Sequence, residues 1–140
     1  LFDENYVPIA GTNPQQVTTR FSRLTDKLMP AIQEGMLDFD PRVTFCAAVD
    51  RNGYLPTHNK IYSHPQSDDP VWNAANCRNR RIFNDRTGLA AGRSTRPFLL
   101  QTYRRDMGGG NFALMKDLSA PIHVKGRHWG GLRIGFKIAP

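Results

Sequence analysis

Residues 73–105, NAANCRNRRIFNDRTGLAAGRSTRPFLLQTYRR, hold eight arginines, no lysine and a single acid, Asp85. Their excess of seven positive charges equals the formal +7 of the whole 140-residue chain. Arginine used to this exclusion points to fixed geometry. The planar guanidinium forks onto a carboxylate or phosphate with two parallel hydrogen bonds, whereas an ammonium is a strongly hydrated point charge. Three uses fit such a cluster: solvated ion pairs with the chain's 12 acids, a grip on a ligand anion, or nucleic-acid binding. The lack of lysine argues against nucleic acid. So do Phe83, Phe98 and Tyr103, which fall where the apolar pattern wants core residues.

Within the cluster, Arg78 and Arg81 lie three apart and share a face if the segment is helical, with Arg80 off that face and nearer Asn76. Arg104 and Arg105 point to opposite faces of one strand, so at least one turns inward and needs a carboxylate or a ligand. Asp106 and Asp117, at the ends of facing strands, are candidate protein partners. Trp72, Tyr103 and Trp129 are expected either as plain core or as walls of a small apolar pocket between helix and sheet. The candidate ligand site is therefore Trp72, Asn76, Arg78, Arg81, Tyr103, Arg104, Lys116 and Trp129, with an anion as the ligand.

Other chemistry finds little footing. The histidines (His58, His64, His123, His128) form no HxH or HExxH pair, so no metal site is expected. Non-covalent haem needs one axial histidine, for which His58 and His64 are the candidates; no other cofactor is expected. Cys46 and Cys77 stand 31 apart, neither a disulfide framework nor a CxxC pair, and suit a reducing compartment, a single disulfide being the alternative. MGGGN (107–111) has the glycines of a phosphate loop but lies between two strands, which makes it a hairpin turn. No GxSxG, Cys–His or paired-carboxylate spacing stands out, and no enzymatic activity is expected.

The elements that must position these groups follow from periodicity. Residues 1–12 read as a lead-in, and 13–38 as a helical segment. In the latter, Asn13 is a candidate N-cap and Pro14 a first helical residue. Val17, Phe21, Leu24 and Leu28 form one apolar face, and a second short helix follows Pro30. The core spans 43–138. VTFCAAVD alternates as a strand, Asn52-Gly53 predicts a hairpin into a second strand at Tyr54 and Leu55, and PVWNAANCRNRRIF predicts a helix from Pro70 to about Phe83. Gly88, Gly92 and Pro97 predict irregular backbone. FLLQTYRRD, NFALMKDL, APIHV and RHWGGLRIGFKI read as antiparallel strands, the last pair turning at Lys125-Gly126. The plan is one α+β domain, an antiparallel sheet of about five to six strands with helices on one face. The arginine-rich segment or a partner covers the other. No stretch of 18 apolar residues exists, so no direct membrane insertion is expected. The chain opens on LFDEN without a methionine and is read as part of a longer protein.

AAVDRNGYLPTHN resembles the opening hairpin of PAS-like and Cache-like sensor domains, and LSAPIHVKGRHWGGLRIGFKI their closing pair. Taken with NRRIFNDRTGLAAGR, RPFLLQTYRRDMGGG and GRHWGGLR in that order, nearly the whole chain resembles the C-terminal sensor-like module of bacterial methyl-accepting chemotaxis proteins. The resemblance implies a signal-transduction module without chemistry of its own. It implies a homodimer appended to a helical chemoreceptor signalling rod and a cytoplasmic location, the periplasm being the alternative. Cys77 is followed by Arg78 and Asn79, so the CxxCH motif of haem-bearing sensors is missing. A ligand-free docking module acting through its basic face is the rival expectation.

Overall fold

A computed structural model describes residues 1–138. In chain order the elements are β1 (Val7–Pro8), β2 (Val17–Thr18), α1 (Ser22–Leu28), α2 (Pro30–Met36), β3 (Val43–Asp50), β4 (Tyr54–Leu55), α3 (Pro70–Asn76), β5 (Arg81–Ile82), α4 (Arg86–Arg93), β6 (Leu99–Asp106), β7 (Phe112–Val124) and β8 (Arg127–Lys137). Strands β3-β8-β7-β6 form one antiparallel sheet in that order, and β1-β2 and β4-β5 form separate antiparallel pairs. The α+β plan is as expected. The main sheet has four strands rather than five to six.

Turn chemistry sets the sheet. Lys125 (φ 52°) and Gly126 (φ 77°) both take the left-handed conformation, as the twist of a two-residue hairpin requires, and join β7 to β8. NFALMKDL and APIHV are one continuous strand. Its Pro121 is tolerated because β6 stops pairing at Leu99↔Ser119 and demands no amide there. At the free side of β3, Gln33 accepts from the Ala48 N–H at 3.0 Å and Asn59 from the Cys46 N–H at 2.9 Å. These buried amide side chains satisfy an edge that would otherwise invite pairing.

The sheet is buried on both faces at β3. Phe45, Ala47 and Val49 face one way and pack with Leu55, Tyr62 and Phe83. Ala48 faces the other and packs with Val17, Phe21, Tyr54 and Trp129. Helix α4 lies over the first, inner face, whereas α2 packs against β3 and the Phe21 cluster covers the outer face. Helical segments thus flank both sides, which corrects the one-face expectation. Cys46 and Cys77 are both buried and free.

Three element readings are also corrected. No helix runs from Pro14: the Val17 N–H donates to the Arg80 carbonyl, and the Val17 carbonyl accepts from the Tyr54 hydroxyl. The backbone there is spoken for by other elements, and α1 begins at Ser22. Its inward contacts are hydroxyls, Ser22 to Tyr54 and Thr25 to Thr57, so Leu24 and Leu28 stay exposed. Helix α3 ends at Asn76 because its next amides leave the helical ladder: the Asn76 carbonyl accepts from the His64 N–H, and the Arg78 N–H donates to the Tyr62 carbonyl. Strand β4 turns away from β3 to pair with β5, and in the preceding Asn52-Gly53 turn only Gly53 has positive φ.

Helix α4 is absent from the sequence reading because its glycines look like breakers. They are there for proximity. A Cβ on Gly92 would stand 2.3 Å from the Asp50 carbonyl oxygen, and one on Gly131 would stand 2.3 Å from that of Ala91. Helix and sheet touch through bare backbone. Gly131→Ala is expected to destabilise by about 1–3 kcal/mol through overpacking. Urea unfolding measures this, and an unchanged midpoint would contradict the close seam.

Candidate functional site

Between the inner face of the sheet and the segment that follows α3 lies a cavity of about 370 Å³. Five arginines line it: Arg78, Arg81, Arg104, Arg105 and Arg133. Phe45, Tyr103, Phe83 and Phe112 supply ring surfaces, and Asp85 and Asp106 are the acids among its lining.

Two arginines are anchored at the end of a helix. Arg78 Nη1 donates to the Ala74 carbonyl at 2.8 Å and to the Asp106 carbonyl at 2.9 Å, and Arg81 Nη1 donates to the same Ala74 oxygen at 3.0 Å. The last carbonyls of α3 have no helical partner, and guanidinium groups satisfy them. Both cations lie over the Phe83 ring, at 5.0 and 4.7 Å from its centroid. Between them the chain bends at Arg80, whose φ is 62°. Arg80 has its own duties: Nη2 pairs with Asp26 of α1 at 2.7 Å, and Nη1 donates to the Pro56 carbonyl at 2.7 Å. Burial pushes Asp26 up, but the Arg80 and Thr57 hydrogen bonds outweigh it and hold the carboxyl below its ordinary value.

The sheet supplies the opposite wall. Arg133 on β8 donates through Nε to Asp117 on β7 at 2.8 Å, both side chains almost fully enclosed. Arg105 on β6 is 2% exposed and lies over the Phe45 and Tyr62 rings at 4.8 and 4.6 Å. Its Nε and Nη2 are buried and meet no hydrogen-bond partner. A buried cation without a carboxylate is costly, because protein dipoles replace only part of the water it lost. Arg104, its neighbour, is exposed and stacks on Phe112 at the rim.

The electrostatics record this excess of positive charge. Burial, then Arg105 and Arg81, push Arg78 down to about 9. His58 sits beside Phe45 and Tyr62, its Nδ1 accepting the Asn59 N–H at 2.7 Å, which leaves its proton on Nε2. Burial first, and then Arg105, Arg78, Arg133 and Arg81, hold it well below the ordinary 6.5. An unfolded chain takes up that proton as pH drops through 6.5, whereas the folded chain does not. The stability owed to neutral His58 is complete above this value and is lost below it, by up to about 1.4 kcal/mol per pH unit. Urea unfolding of the wild type is expected to weaken more steeply from pH 7 to 5.5 than that of His58→Gln. Equal slopes would contradict the cationic setting.

Of the residues expected at a ligand site, Arg78, Arg81, Tyr103 and Arg104 line the cavity, and Trp72, Asn76, Lys116 and Trp129 do not. Trp72 is 40% exposed on α3 and packs on His64, and the Asn76 side chain turns back to the Trp72 carbonyl. Lys116 alternates away from Asp117, which faces inward. Trp129 sits in the outer-face cluster against Phe21, its indole N–H donating to the Leu1 carbonyl. The aromatic walls are therefore Phe45, Phe83 and Phe112 with Tyr103, not the tryptophans. Of the two histidines weighed as axial haem ligands, His58 lines the cavity and His64 lies outside it.

Arg105, Arg133 and His58 complete the site. The Arg104/Arg105 alternation already required one inward cation, and the pairing of β6 with β7 selects Arg105, whose register partner Ala113 lies on the same face as Met115 and Asp117. Among the described residues, no group of three or more His, Cys, Asp or Glu is placed to hold a metal ion, and no helix is long and apolar enough to cross a membrane. The chain matches no protein-family model, no curated protein and no solved structure with which it was compared.

Proposed function

We propose that this domain is a sensor module that binds a small anion in the arginine-lined cavity and passes the bound state to a helical signalling rod of the chemoreceptor type. The carrying observation is Arg105, an enclosed guanidinium with two unpartnered nitrogens beside a cavity in which arginines outnumber acids. Asp117 is engaged by Arg133 and Asp26 by Arg80, and the two acids of the lining, Asp85 and Asp106, make no ion pair with Arg105. An anion would complete the site.

Transmission has a physical route. The ligand-facing Arg78 and Arg81 flank Arg80, and Arg80 is clasped to Asp26 on the N-terminal helix α1. A ligand that draws Arg78 or Arg81 inward moves the peptide carrying that clasp, and a bias between two arrangements of α1 is all a signal needs. Homodimerisation and attachment to the rod belong to the same proposal and rest on the resemblance. The rival docking role needs a basic face, but Arg78 and Arg105 are turned inside.

The test is thermal unfolding against a panel of small carboxylates and phosphates. A ligand at 100 times its dissociation constant stabilises by about 2.7 kcal/mol. Saturable stabilisation by one class is the expected result. No stabilisation by any anion would favour docking. Asp26→Asn is expected to weaken the attachment of α1, read as faster amide exchange across Ser22–Leu28. Unchanged exchange would remove the clasp from the route.

A further inference from the structure

The charges on the two walls say what kind of anion fits. Five arginines line the cavity, opposed by Asp85 and Asp106, with Asp117 behind Arg133; five against three leaves two positive charges. His58 adds none, being neutral. The surplus is also divided in space. Arg133 is neutralised by Asp117, Arg104 is exposed at the rim, and the two cavity acids are split, Asp106 acting on Arg81 and Asp85 lying toward Asp117. The two cations left over are Arg78, which shares the Ala74 carbonyl with Arg81 on the α3 side, and Arg105 on the sheet side. A single negative charge compensates one side and leaves the other buried and unpaired.

From this we infer that the occupant is a small organic dianion, with one negative group engaged by Arg78 and Arg81 and charge also reaching Arg105. The inference rests on the anion-sensing reading above and narrows it. The frame between the charged ends is apolar or aromatic, because Phe45, Phe83 and Tyr103 form the walls between them. A cavity of about 370 Å³ falls within the range that organic ligands occupy and exceeds what a bare inorganic ion fills. Dicarboxylates have this chemistry, whereas a phosphate monoester carries both charges at one end.

Matched probes separate the outcomes. Wild-type protein is titrated at pH 7.5 with succinate and phthalate, with their monoamides succinamate and phthalamate, and with glycerol phosphate and inorganic phosphate. The expected result is that at least one organic dianion binds about 30-fold or more tighter than its singly charged counterpart, the loss on truncating one partner of an enclosed charge pair. Tight binding by the dicarboxylates is the supporting result, and tight binding by glycerol phosphate alone, whose two charges share one end, would overturn the two-ended occupant. Monoamides that bind as tightly as the diacids would overturn the dianion and leave the sensor reading standing. Inorganic phosphate binding as tightly as every organic probe would overturn the organic frame. Binding by none of the six would overturn both readings.

Discussion

Arg105→Met makes the anion-free protein more stable and deaf to anions. The side chain is 2% exposed, lies between the Phe45 and Tyr62 rings, and leaves Nε and Nη2 without partners. Methionine keeps much of the length and the apolar contact and removes the buried charge. Replacing buried ionic groups by well-packed apolar ones is neutral to stabilising, by about 1–4 kcal/mol. The same change removes the sheet-side contact of the ligand, so anion-induced stabilisation falls to near zero. Two opposite movements in one variant are hard to obtain from a structural strut, whose loss lowers both. Urea unfolding with and without succinate reads them. A variant that is less stable and still responds to anions would show that Arg105 holds the fold.

Asp117→Asn has the other large effect, with the opposite sign. Asp117 is fully buried and accepts from Arg133 Nε at 2.8 Å. Burial pushes its carboxyl up and Arg133 opposes that rise. Asparagine preserves shape but strands Arg133 as an uncompensated charge 4% exposed. Breaking one side of such a pair costs about 3–5 kcal/mol, which threatens folding of a small domain. The double variant Asp117→Leu with Arg133→Met removes both charges and is expected to recover most of the loss. If Asp117→Asn unfolds within about 1 kcal/mol of the wild type, the pair is not a strut.

These two variants separate arginines that look alike in sequence. The alternation of FLLQTYRRD puts Arg104 and Arg105 on opposite faces, and that of RHWGGLRIGFKI sets Arg133 opposite Leu132 and Ile134, without choosing which of them turn inward together. Whether a given arginine finds a carboxylate there depends on cross-strand register, and Asp117 meets Arg133 only through the pairing of β7 with β8. Arg78 and Arg81 were legible as a pair for a different reason from the one observed. They share a site because both reach the Ala74 carbonyl across a bend at Arg80, not because they share a helical face. The long hairpin, the Gly108–Gly110 turn and strand β3 follow from local pattern, where turn residues and alternation agree.

The errors cluster where tertiary contacts overrule local preference. Gly88 and Gly92 read as breakers but let α4 press on the backbone of Phe83 and Asp50. Asn13-Pro14 reads as a helix start but leads into a short strand tied to Arg80. Tryptophans are good candidates for pocket walls, yet Trp72 and Trp129 serve a surface and the opposite core, and phenylalanines take their place. Only the fold decides which aromatic meets the arginines.

The most direct test is a crystal structure of the wild-type protein grown with succinate or, where the titrations favour it, phthalate. The account predicts density for the ligand in the cavity, with oxygens within hydrogen-bonding distance of Arg105 and of Arg78 or Arg81. An empty cavity with Arg105 paired to Asp85 or Asp106, or with its guanidinium turned out to bulk water, would contradict it.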